Sequence, residues 1–145
     1  MNKIDYNKKA LNDVYKNAHI ALQSIKDVLP AVKNKELKNE IKSQYQGYND
    51  VINELKLLMS AKGIKPKDIG FMKKAFMYMA IKSKLIFNNS KNNIASMMIN
   101  GSVMGINELT AMKNENSNLS EDVSEAVNKL LNLEEEYMER LKKFL

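Results

Sequence analysis

The chain has 145 residues, with 23 Lys and Arg against 17 Asp and Glu, one His, and neither Cys nor Trp, for a formal net charge of +6. With 44% hydrophobic and 28% charged residues, the composition is that of one folded domain with its own core. Disulfides, thiolate metal sites and a thiol nucleophile are excluded. Two Pro and five Gly leave few obligatory turns, so the expected class is all-α, built from a few long helices.

The first predicted helix covers about residues 4–32, with apolar residues at Leu11, Val14 or Tyr15, Ala18, Leu22, Ile25, Leu29 and Val32 in a 3- and 4-residue alternation. Pro30, near its end, marks a kink or a stop. A second stripe, Leu37, Ile41, Tyr45, Tyr48, Ile52, Leu55 and Met59, defines a helix over 35–62, with Asn34 as N-cap and Gly63 as the terminating glycine. The middle of the chain keeps helical spacing through Met72, Phe76, Met79, Ser83, Ile86, Ser90, Ile94, Met97, Gly101, Met104, Glu108 and Met112. One helix of that span would be roughly 60 Å long, against about 40 Å for its neighbours. The Asn88 to Asn93 tract, rich in side chains that compete for backbone hydrogen bonds, divides it into helices over 67–88 and 92–113. Ser120 is the expected cap of the last helix, 120–144, which carries Val123, Val127, Leu130, Tyr137, Leu141 and Phe144 on one face.

Short connections make the first two helices, and likewise the last two, antiparallel hairpins; the long connection between the hairpins carries the remaining helix. Leu11-Asn12-Asp13, Lys33 to Leu37, Ile94 to Ile106 and the ending Leu133 to Leu145 resemble a small bacterial branch of the ferritin-like superfamily. The resemblance covers about residues 11–145. It implies a ferritin-like four-helix bundle with an extra crossover helix.

Ferritin-type di-metal chemistry needs a Glu from two helices and Glu-x-x-His from each of the other two. One histidine cannot supply two such motifs. Glu40 is followed at the required spacing by Ser43, Glu54 by Leu57, and Glu134 by Tyr137. The resemblance therefore carries no ligands across, and no cofactor is expected. The weak metal candidates are Glu134, Tyr137 and Glu108. Glu134 lies on the core stripe of the last helix, but the favoured reading is a boundary residue whose carboxylate reaches solvent. His19, one step off its stripe, reads as a half-exposed structural histidine. Gly101 and Gly105, one turn apart, cost about 1 kcal/mol each in helix propensity, so close helix packing through their groove is expected, against a neighbour within the bundle in the favoured reading or across a homodimer in the other. Seven of the ten methionines fall between Met72 and Met112 and read as core filling.

Eight lysines and one acid lie between Lys62 and Lys91, a net of +7, while the remainder is close to neutral. Lys73, Lys74, Lys82 and Lys84 flank an apolar run and form the candidate interaction surface. A helix of that kind can meet an acidic partner or an anionic membrane; the favoured reading has its apolar side on the bundle and its lysines extended to water. No nucleic-acid motif is present. The N-terminus lacks the apolar run of an export signal, so a cytoplasmic protein is expected. The expectation is thus a non-enzymatic bundle, a homodimer with a structural or interaction role. The alternatives are a metal-binding or redox protein with an atypical carboxylate and tyrosine site, and a membrane-surface module.

Overall fold

The computed structural model describes residues 5–145, apart from the side chains of Phe71, Met72, Ala75, Phe76, Ile86 and Phe87. Five α-helices follow one another: α1 (Tyr6–Val28), α2 (Lys35–Ala61), α3 (Phe71–Phe87), α4 (Lys91–Glu115) and α5 (Glu121–Leu141). Single 3-10 turns follow α1, at Leu29–Ala31, and α5, at Lys142–Phe144. The protein is all-helical over the described residues. Expected positions Ile4, and the side chains of Met72, Phe76 and Ile86, lie outside them.

Local chemistry explains most boundaries. Asp5 caps α1 by accepting from the Lys8 N–H at 3.0 Å, Asn34 caps α2 by accepting from the Leu37 N–H at 2.9 Å, and Ser90 caps α4 through the Asn93 N–H at 3.3 Å. Pro30 falls inside the 3-10 turn that ends α1. Gly63 takes φ +68°, the left-handed conformation that closes α2. Two expectations are corrected. The third helix begins at Phe71 rather than 67, because Gly70 is its N-cap and the Lys67 N–H is donated sideways to Asn12 Oδ1 at 3.3 Å. Ser120 stands at the start of α5, yet its hydroxyl donates to Asp122 Oδ1 at 2.6 Å, and that carboxylate accepts from the Val123 N–H at 2.8 Å.

Polar contacts fix the relative directions of α2 and α5. Glu36 pairs with Lys143, Glu40 with Arg140, Glu54 with Lys129 and Lys62 with Asp122, so residue numbers rise along α2 as they fall along α5. These two helices are antiparallel over their whole length. At the start of α5, the Ser120 N–H donates to Asn7 Oδ1 at 2.9 Å, which places it beside the start of α1. The most extensive packing is α4 on α5 and α1 on α2; α1 also meets α3, α4 and α5. One cluster of buried residues joins them, centred on Leu11, Leu37, Ile41, Met59, Ile94, Leu109, Leu130 and Leu141.

The core face of α4 differs from the expected stripe. Ile94, Ala95, Leu109 and Met112 are buried, whereas Met104 is 67% exposed and Gly101 and Glu108 also face outward. Between its ends the inward line runs one residue later than expected, through Met98, Ser102 and Gly105. Apolar residues lie on both sides of α4, so 3.6-residue spacing alone did not select the face. Of the methionines read as core filling, Met79 and Met104 are exposed and Met112 is buried.

Candidate functional site

Most of the interior is apolar, which makes its polar exceptions informative. Glu134 on α5 is 1% exposed, and Gln44 on α2 and Asn17 on α1 are also buried. Burial of Glu134 overturns the boundary reading. The reason is Gly105 on α4: a Cβ there would lie 3.1 Å from Glu134 Cδ and closer still to Oε2, so the missing side chain makes room for the carboxyl group. Asn17 Nδ2 donates to the Gly105 carbonyl at 3.2 Å, bringing α1 to the same point. Glu134 Oε2 has no hydrogen-bond partner among the described residues.

A buried, unpartnered carboxyl group strongly disfavours its charged form. Burial first, and then the charge of exposed Glu108, push Glu134 up to about 8. At neutral pH it is therefore an uncharged acid. Tyr48 on α2 is buried, and the same desolvation, followed by the charge of Glu134 and the neighbouring Tyr137, raises it well above the ordinary phenol value. The rings of Tyr48 and Tyr137 meet edge to face at 5.4 Å.

Tyr137, one turn beyond Glu134 on α5, enters a second glycine slot. A Cβ on Gly47 of α2 would lie 2.9 Å from Tyr137 Cζ and nearer still to the hydroxyl. Gln44, one turn earlier on α2, donates from Nε2 to the Tyr137 carbonyl at 3.4 Å and to Glu40 Oε2 at 3.2 Å. Glu40 accepts in turn from Arg140 Nε at 3.0 Å, and the Arg140 guanidinium lies over the Tyr137 ring at 5.3 Å. A polar seam thus runs from Glu134 outward to Arg140, each slot made by a glycine on a neighbouring helix.

The remaining candidates lie elsewhere. Glu108 is exposed and acts on Glu134 only through its charge. Gly101, expected to pack closely together with Gly105, would meet nothing of its own chain within 4 Å if it carried a Cβ; close packing within the chain is confined, on α4, to Gly105. His19 is half-buried, its ring 4.5 Å from that of Tyr15, with Nε2 unpartnered. Burial, and after it Lys56, Lys74 and Lys26, lower its pKa against the weaker opposition of Asp68. The four lysines of the expected surface divide along α3. Lys74 lies 3.8 Å from Asp68, Lys73 faces α1, Lys82 sits over the Tyr78 ring at 5.6 Å, and Lys84 is exposed near the helix end.

Sequence reasoning identified Glu134 and Tyr137 but missed Asn17, Gln44 and Gly47. Gln44 and Tyr45 both fit the helical period, and the apolar neighbour was taken as the inward one; Tyr45 is only half-buried. Among the described residues, no group of three His, Cys, Asp or Glu side chains could hold a metal ion. No helix among them is long and apolar enough to cross a membrane. No family model matches the chain, and neither does any curated protein or solved structure.

Proposed function

We propose that this chain is a non-enzymatic, ferritin-like four-helix bundle with an extra crossover helix, α3, working as a homodimer in a structural or protein-interaction role. The directions of α2 and α5, and the packing of α4 on α5, support that arrangement. The observation that carries the functional reading is the donor set at Glu134: one uncharged acid, enclosed by Tyr48, Tyr137, Asn17 and Gly105, where a di-metal centre needs several carboxylate and imidazole ligands. The surface supports an interaction role. Val103 and Met104 on α4, and Tyr78 and Met79 on α3, are exposed. Elemental analysis of protein purified without chelator tests the reading. Less than a tenth of an equivalent of iron, manganese, copper or zinc is expected; a stoichiometric metal lost on Glu134→Gln overturns it.

One observation favours a second reading, a metal-binding or redox protein with an atypical carboxylate and tyrosine site: Glu134 and Tyr137 are adjacent on α5 and both buried. The same elemental analysis separates the two. The lysines of α3 support a third, a module on an anionic membrane surface, which fails if the protein does not sediment with phosphatidylglycerol vesicles at low salt.

A further inference from the structure

Beyond α2 the chain passes across the first half of α1 before α3 begins. Two contacts pin it there: Ile69 is buried, and the Lys67 N–H donates to Asn12 Oδ1 at 3.3 Å. Between this stretch and α1 lies an open cleft of about 650 Å³. Lys8, Lys9 and Lys16 of α1 line one side, and Lys67 and Lys73 the other. The packing of α3 on α1 therefore joins the basic segment to lysines far away in sequence.

Three aspartates also line the cleft: Asp5, Asp13 and Asp68. Asp5 is occupied as the N-cap of α1, and Asp68 lies 3.8 Å from Lys74, which is not part of the lining. Among the described residues, none of the five lining lysines stands within 4.0 Å of a carboxylate. Lys16 and Lys73 instead approach one another across the cleft. That contact first, and burial second, weaken the hold of Lys73 on its proton, while Glu108 opposes them. Two ammonium groups side by side repel, and an anion between them would relieve that repulsion.

We propose that this cleft binds a small molecule bearing a phosphate or polyphosphate group, with Lys16 and Lys73 bracketing its oxygens and Lys8, Lys9 and Lys67 strengthening the field. Lysine serves as a point charge for phosphate oxygens, and a cleft whose five lysines outnumber its three aspartates draws anions to it. The site is independent of the interior at Glu134 and of the proposed role of the bundle.

Isothermal titration of the full chain with pyrophosphate and with inorganic phosphate at low ionic strength tests the proposal. Pyrophosphate is expected to bind saturably and more tightly than phosphate. Lys16→Ala with Lys73→Ala should weaken it about tenfold or more, and Lys16→Arg with Lys73→Arg should retain it, whereas Lys82→Ala with Lys84→Ala, at the far end of α3, should leave it within about twofold. Absence of saturable binding overturns the proposal, and so does an equal loss in the Lys82 and Lys84 variant, because diffuse charge would then suffice. Phosphatidylglycerol vesicles form the last arm: vesicle binding that is lost in the Lys16 and Lys73 alanine variant, with no saturable pyrophosphate binding by the unaltered chain, assigns the cleft to a lipid surface and overturns the small-molecule reading.

Discussion

Glu134 meets the interior from every side: Asn17 and the Gly105 backbone toward α1 and α4, Tyr48 toward α2, and Tyr137 on its own helix, with Glu108 the nearest charge to influence it. Its neutral form makes the fold proton-linked. An ordinary glutamate loses its proton near 4.5, and Glu134 holds it to about 8. Between those values the folded chain binds one more proton than the unfolded chain, so this contribution to stability is complete below about 4.5, shrinks as pH rises, and is gone above about 8. His19 acts in the opposite sense. Its lowered pKa favours the neutral ring in the folded state, so it destabilises only as pH falls below its ordinary 6.5. The interval from 6.5 to 8 lies above the ordinary value of His19, and comparison with Glu134→Gln separates Glu134 from Lys73, whose hold on its proton is also weakened. Urea unfolding across it should show stability falling by up to about 1.4 kcal/mol per pH unit, and Glu134→Gln should flatten the slope; a slope unchanged in that variant would show that Glu134 titrates normally. The position of Glu134 on the core stripe was legible in the sequence, but its burial was not, because that depends on a glycine 29 positions away on another helix.

At the scale of the helix, two glycines one turn apart in α4 have opposite roles. Gly101 faces open space, so Gly101→Ala should raise stability by about 1 kcal/mol, the propensity difference between the two residues. Gly105 faces the Glu134 carboxyl group, and Gly105→Leu should cost about 1–3 kcal/mol through overpacking. Gly47→Ala should likewise destabilise by about 1–3 kcal/mol, because the rigid Tyr137 ring occupies the space of the added methyl. Thermal melts of the three variants check the signs, and a stabilising Gly47→Ala would mean that α2 and α5 stand farther apart than described. Helix boundaries were readable at the Asn34 cap and at the Gly63 terminus, but not at the start of α3, where Gly70 sets the boundary without a side-chain cap. The inward faces of α1, α2 and α5 followed from a single apolar stripe. That of α4 did not, since Met97, Gly101 and Met104 offer a helical line as regular as Met98, Ser102 and Gly105, and only contact with α5 selects between them.

For the whole molecule, the basic excess has a location. The chain outside Lys62 to Lys91 is close to neutral, and its charges pair along the α2 and α5 seam, while α3 and its approach carry the unbalanced lysines against α1. The α4 surface bearing Val103 and Met104 is a different one, exposed and apolar. A homodimer, as proposed, that forms through this surface should become monomeric in sedimentation equilibrium on Met104→Lys, with little change in helix content; a dimer unchanged in that variant would place its interface elsewhere. The central proposal, an interior whose one buried acid among the described residues is uncharged and holds no metal, is tested most directly by anomalous X-ray scattering at the iron, manganese, copper and zinc edges from crystals of protein purified without chelator. The account predicts no anomalous peak within bonding distance of Glu134, and a peak bridging Glu134 to Tyr137 or Tyr48 would contradict it.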